Sequence, residues 1–226
     1  MSAVFYAAGP DILPGSAGEM SNIDIAPTIE RILGVTPAGT VQGEAMALGP
    51  APFALANAAS RKIHGQAGPF DFRMPLTGAR GVEPRPAAAG NSHQLVFTFS
   101  NPVASGSAAV TAGVGSVGST TFSGSEMIVN LTGIANSQKI TVTLTNVTDT
   151  LANTIPTASL SVGFLLGDVN RDGFVNATDT SEIKSLVTVP APVSPVNAAG
   201  DVKLDGTLNI ADSAVVKSKF GTSVAP

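Results

Sequence analysis

The feature that most constrains this chain is a twelve-residue loop written twice near its C-terminus. Asp168-Val-Asn170-Arg-Asp172-Gly173-Phe174-Val175-Asn176-Ala177-Thr178-Asp179 carries oxygen-bearing side chains at loop positions 1, 3, 5, 9 and 12, with glycine at position 6. Thirty-three residues later, Asp201-Val-Lys203-Leu-Asp205-Gly206-Thr207-Leu208-Asn209-Ile210-Ala211-Asp212 repeats the pattern. Alternating carboxylate and carboxamide oxygens, a sharp turn at glycine and a backbone carbonyl at position 7 form the donor set of a hard cation. Carboxylates packed this densely repel one another unless a cation lies among them. The expected ligands are Asp168, Asn170, Asp172, the Phe174 carbonyl, Asn176 and Asp179 in the first loop. In the second they are Asp201, Asp205, the Thr207 carbonyl, Asn209 and Asp212. Ca²⁺ is the expected ion, at one firm site and one weaker site, because Lys203 puts an ammonium where position 3 calls for an oxygen.

Each loop should run into a helix. Ile183, Leu186 and Val187 mark the apolar side of the first, and Val215, Val216 and Phe220 that of the second, mainly as core between the two. Val175 and Leu208, both at loop position 8, are apolar and expected to pair with each other.

This duplicated loop–helix unit, headed by Gly167-Asp-Val-Asn-Arg-Asp-Gly173 and closed by Asp at position 12 of each loop, resembles a type I dockerin. The resemblance implies calcium-dependent folding with approximate two-fold symmetry and a protein partner, cohesin-like or a surface component. It also implies a partner-binding face at loop positions 10 and 11, here Ala177-Thr178 and Ile210-Ala211, with Lys184 and Lys217 at matching helix positions. Those pairs match neither each other nor the Ser/Thr pair usual in dockerins.

Upstream, the chain reads as β structure. Only 12% of residues are charged and 43% are hydrophobic, a palette for short strands and not for a helical bundle. Runs at 95–99, 108–111, 125–131 and 139–144 are separated by Gly/Ser/Asn turns, the cue for an antiparallel β-sandwich. Phe70, Phe72, Met74 and Leu76 alternate with period two, another strand signal. The Ser60–Phe72 island with the runs that follow resembles an Ig-like module that precedes dockerin-like tails in bacterial surface proteins.

The first fifty residues read as a strand at Ala3–Ala7, a Gly/Pro loop, and a helix with Asp24 as N-cap, Ile25, Ile29, Ile32 and Leu33 on one side, and Gly34 as its stop. Val4-Phe5-Tyr6-Ala7-Ala8-Gly9-Pro10-Asp11, Ser21-Asn22-Ile23-Asp24-Ile25-Ala26-Pro27-Thr28-Ile29 and Leu33-Gly34-Val35-Thr36-Pro37 are similar to the closing stretch of type I phosphodiesterase/nucleotide pyrophosphatases, in the alkaline-phosphatase superfamily. That likeness implies a domain remnant whose nucleophile and most zinc ligands would lie upstream. Gln42-Gly43 stands where the family often has a zinc-binding His-Gly, so no catalytic residue is expected here.

Other classes fit poorly. A net charge of −4 without a Lys/Arg cluster gives no reason to expect nucleic acid. Cysteine is absent, and no apolar run approaches the roughly 18 residues of a membrane span. His64 and His93 sit at ligand spacing with no other donor and read as structural, while 113–118 and 124–126 read as Gly/Ser turns.

The expected fold class is therefore mainly β with a small α module: an Ig-like antiparallel β-sandwich plus a duplicated calcium-loop–helix domain. The expected organisation is a phosphodiesterase-like remnant at 1–50, a Pro/Ala/Gly-rich connector with a first strand at 51–89, the sandwich at 90–166 and the dockerin-like module at 167–226. The expected function is a non-catalytic docking appendage, extracellular or on the cell surface. Met1-Ser-Ala-Val-Phe-Tyr6 is no signal peptide, so the export signal would lie upstream. Two alternatives stand beside it: an inactive fragment of a phosphodiesterase or polysaccharide-degrading hydrolase, and a carbohydrate-binding sandwich. Against the last count the absence of Trp and the single Tyr.

Overall fold

The structure, a computed structural model, describes residues 21–36, 38–46, 53–78, 81–186 and 191–224. The chain divides into two compact units, Met1–Pro52 and Phe53–Pro226. The expected strand at Ala3–Ala7 lies outside the described residues.

In the first unit, helix α1 (Ile25–Ile32) ends at Leu33, and Gly34 follows with φ +65°, the left-handed conformation glycine adopts without penalty. Asp24 precedes the helix but makes no side-chain cap. Its carboxylate instead accepts from the Ser21 N–H, capping the short 3-10 turn Asn22–Asp24, and from the Glu44 N–H at 2.9 Å. Ile29 and Leu33 are exposed, whereas Pro27 and Thr28 are buried.

Two large sheets make up most of the second unit. Strands β1 (Leu55–Ile63), β2 (Pro69–Met74), β4 (His93–Phe99), β6 (Ser116–Ser123) and β7 (Glu126–Thr132) form one, in the order β2-β1-β4-β7-β6, all antiparallel. Strands β3 (Val82–Glu83), β5 (Val103–Ala112), β8 (Gln138–Asp149) and β9 (Thr154–Phe164) form the other, in the order β3-β9-β8-β5, with β3 parallel to β9. The inward positions of both sheets meet in one apolar cluster that includes Leu95, Phe97, Met127, Val129, Ile140, Val142, Leu144, Leu160 and Val162. Alternation explains the fit: in β8, Ile140, Val142 and Leu144 point in while Lys139, Thr141 and Thr143 are exposed or half-buried.

Two expectations change here. The stretch 51–89 is no connector, since it supplies β1, β2 and β3 to the two sheets. Small residues hid β1, whose sequence LANAASRKI lacks the bulky alternation that marks a strand. The expected Gly/Ser turn at 113–118 runs into β6, an edge strand of small polar residues held by backbone pairing to β7. Between β7 and β8 the chain crosses from one sheet to the other. Strand β9 is masked in the sequence by Pro156, which is tolerated where, among the described residues, β9 has β8 on one side and no strand on the other.

After β9 the chain enters a small α module with helices α2 (Ala177–Leu186) and α3 (Ile210–Lys217). Its core contains Val169, Val175, Ile183, Val202, Leu208, Val216 and Val224, joined by Val82 of β3 and by Leu165 just after β9. Leu186 and Val215 pack against it, Phe220 is 44% exposed, and Val187 lies outside the described residues. No helix among the described residues is long and apolar enough to cross a membrane.

Candidate metal centre

The two loops share one hydrogen-bond scaffold. In the first, Asp168 Oδ1 and Oδ2 accept from the N–H groups of Asp172 (3.1 Å) and Gly173 (2.9 Å). Asp201 accepts in the same way from Asp205 (3.3 Å) and Gly206 (3.0 Å). Asp179 takes the N–H groups of Asn170 and Asn176, and Asp212 those of Lys203 and Asn209. Asp172 and Asp205 accept from Phe174 and Thr207. Even the backbone strain repeats: Arg171 and Leu204 have φ +63° and +57°, and Gly173 and Gly206 have +91° and +86°.

Each loop also starts its own helix. Asn176 and Asn209 accept the N–H groups of Thr178 and Ala211, while Asp179 and Asp212 bond back to the N–H groups of Asn176 and Asn209. That is a capping box, so the residues at loop positions 9 and 12 also fix where α2 and α3 begin.

The four aspartates at positions 1 and 12 (Asp168, Asp179, Asp201 and Asp212) are fully buried. Those of the first loop take hydrogen bonds from backbone N–H groups and from no cationic side chain among the described residues. Burial pushes the Asp168 carboxyl up to about 6; the charges of Asp179 and Asp172 add to this, while the Gly173 N–H opposes it. Burial also pushes Asp212 up, with Asp201 and Asp205 adding to it. A buried, mutually repelling set of oxygen donors fits a hard cation. As the side chains stand, no three His, Cys, Asp or Glu groups among the described residues converge on one point. The loops' other oxygen donors are the carboxamides of Asn170, Asn176 and Asn209 and the carbonyls of Phe174 and Thr207.

The loops differ at position 3. Asn170 Nδ2 donates to Asp172 Oδ2 at 3.0 Å, whereas the Lys203 ammonium lies 2.6 Å from Asp205 Oδ2. That ion pair pulls the Asp205 carboxyl below the usual range.

Val175 and Leu208 share the module core, but no backbone pairing among the described residues joins them. Leu208 lies in β11 (Thr207–Leu208), which pairs with β10 (Ala191–Pro192), and Val193 N–H donates to Gly206 O. Val175 instead exchanges backbone bonds with Gly221 and Thr222, and Val224 N–H donates to Gly173 O. The segment that follows each helix thus closes on the other loop, and both position-8 side chains lie in the module core.

Of the six expected partner-binding residues, Ala177, Thr178, Lys184, Ile210 and Lys217 are exposed and Ala211 is half-buried.

His64 is not an isolated structural residue. Fully buried at the end of β1, it places Nδ1 2.8 Å from Asp201 Oδ2, across 137 residues of sequence. Its Nε2 lies 3.1 Å from Arg85 Nη1. Arg85 also donates to both carboxylate oxygens of Glu83 and to the carbonyls of Ser60 and Phe70, so every guanidinium N–H is used. Burial pushes the Glu83 carboxyl up, and Arg85 beside it pulls it further down, to about 2. Only the period-two inward run Ser60, Lys62, His64 hinted at this, and nothing in spacing points to Asp201. His93 is buried too, with its ring centroid 4.2 Å from that of Phe164.

Residues 166–221 match the family model of the dockerin type I domain. The dockerin match covers about a quarter of the 226-residue chain and contains both loops and both helices of the module. No curated protein and no solved structure matches the chain.

Proposed function

We propose that the dockerin-matching segment is a calcium-stabilised docking module for a cohesin-like or surface protein. The remainder of the chain is then a non-catalytic appendage, extracellular or on the cell surface, in which the two sheets form an Ig-like β-sandwich. The observation that carries this reading is the repetition, bond for bond, of one scaffold around four buried aspartates, inside a segment that matches the dockerin family. Residues 1–50 keep their reading as an inactive phosphodiesterase-like remnant on their sequence motifs alone.

Asp168, Asn170, Asp172, the Phe174 carbonyl, Asn176 and Asp179 would hold the first Ca²⁺. Asp201, Asp205, the Thr207 carbonyl, Asn209 and Asp212 would hold a second, weaker one. Bound calcium supplies the positive charge that lets these carboxylates stay ionised in a buried setting. The chain's own part is to present α2 and α3 side by side, with Ala177, Thr178, Lys184, Ile210, Ala211 and Lys217 at the contact face.

Calorimetric titration of Ca²⁺ into the chelator-stripped full chain, followed by retention on an immobilised type I cohesin with and without calcium, tests the reading. Micromolar or tighter binding with calcium-dependent retention supports it. Absence of any calcium heat removes its foundation, and calcium binding without retention confines it to a structural calcium module.

A further inference from the structure

The module does not hang from the sheets on a free linker. A Cβ on Gly65 would lie 2.5 Å from Asp205 O, and one on Gly206 would lie 2.8 Å from His64 O, so the β1–β2 turn and the second loop touch backbone to backbone. On the far side, Gly167 N–H donates to Pro84 O, and Val82 of β3 sits in the module core. The second loop is thus part of an interface internal to the Phe53–Pro226 unit.

Within that interface the hydrogen-bond pattern assigns the His64 tautomer. An arginine can only donate, so Nε2 must accept from Arg85. An ionised carboxylate can only accept, so Nδ1 carries the proton toward Asp201. The neutral Nδ1–H imidazole is therefore held from both ends, and its anchor, Arg85, is locked by Glu83.

The bond falls on one particular oxygen. Among the described residues, Asp201 Oδ2 takes both His64 Nδ1–H and Gly206 N–H, whereas Oδ1 has a single 3.3 Å contact, from Asp205 N–H. Loading Oδ2 with two donors fixes the carboxylate plane and leaves Oδ1 as the oxygen free to serve a cation. Among the described residues no histidine does this for Asp168, whose Oδ2 takes the Gly173 N–H. The loop that carries Lys203 in place of a position-3 oxygen is also the loop that receives this extra anchor from the sheets.

On the basis of the calcium reading above, we infer that His64 is a positioning residue for the second loop: by fixing Asp201 from outside the coordination sphere, it ties calcium occupancy of that loop to the packing of the module on the sheets. Partners of this kind are worth about 10–100-fold in metal affinity.

The test is calcium titration of the full chain carrying Asp168→Asn, which silences the first loop and isolates the second. Adding His64→Leu should weaken second-loop binding about 10–100-fold, and His64→Asn, which keeps a donor near the place of Nδ1, should restore most of it. First-loop affinity, read in an Asp201→Asn background, should not respond to either His64 change. In the wild-type chain, an imidazole Nδ1–H resonance protected from exchange should shift with the second calcium step and not with the first. That measurement needs no substituted protein, so it decides the matter even if His64→Leu does not fold. Unchanged second-loop affinity in His64→Leu, or a resonance indifferent to the second step, overturns the inference. So does a wild-type chain that binds one calcium and loses it with Asp168→Asn, although calcium binding by the first loop then stands. A wild-type chain that binds none removes the calcium reading itself.

Discussion

The guanidinium of Arg171, in the first loop, lies 4.5 Å from the ring centroid of Phe72 on β2, and Arg85 lies 5.3 Å from the same ring. Both loops therefore contact the five-stranded sheet, the first through this stacked cation and the second through His64. A double-mutant cycle of Phe72→Leu and Arg171→Ala, followed by denaturant unfolding of the full chain, should give a coupling of about 0.5–1 kcal/mol. Zero coupling would mean that the first loop is held in place by the shared core alone.

Lys203 should set the strength of the second loop. Its ammonium, 2.6 Å from Asp205 Oδ2, occupies the carboxylate that loop position 5 would offer to calcium. Lys203→Asn reproduces the first loop's Asn170 and removes a positive charge from the site. Calorimetry should then show second-loop affinity rising by about tenfold or more, with the first loop unaffected. An unchanged affinity would show that the ammonium swings away without cost.

Glu83 neutralises Arg85 with both side chains fully out of solvent. Glu83→Gln keeps the shape and removes the charge, which leaves a buried guanidinium without its anion. A loss of about 3–5 kcal/mol in unfolding free energy is expected. Because Arg85 also holds Ser60 O, Phe70 O and His64, the loss should come with disturbance of β1, β2 and the second loop together, visible as increased amide exchange in all three. Damage confined to β3 would contradict this hub role.

Lys62 sets the alkaline behaviour of the sheets. Burial lowers its pKa from 10.5 to about 8, with Glu83 opposing the drop and Arg85 adding to it. An unfolded chain keeps the Lys62 proton up to about pH 10.5, while the folded chain gives it up near pH 8. Between those values the unfolded state holds more protons, so this residue makes stability rise with pH, by no more than about 3 kcal/mol. Chemical denaturation of wild type and Lys62→Met from pH 7 to pH 10 should show the variant more stable at pH 7 and the difference shrinking as pH rises. A pH-independent difference would mean that Lys62 stays charged in the fold.

Much of the candidate site was legible before folding because it is local. A calcium-type loop is twelve consecutive residues whose donors, glycine turn and helix cap all lie within one stretch, so Asp168–Asp179 and Asp201–Asp212 announced themselves by spacing. The same locality exposed strands with bulky alternation, such as His93–Phe99 and Glu126–Thr132. It failed for β1 and β6, whose small side chains carry no periodic signal; β1 takes its strand state from pairing with β2 and β4, and β6 from pairing with β7.

The amino-acid sequence by itself determined the two oxygen-rich loops, the helices they cap, the mismatch at Lys203 and the mainly β character of the rest. Tertiary structure decided which segment closes on which loop, placing 191–193 on the second and 221–224 on the first. It also decided that His64 meets Asp201. The physical reason is range: donor spacing and capping act over a few residues, whereas a buried histidine finds its carboxylate only after two sheets and a helical module have packed together and excluded water from the bond between them.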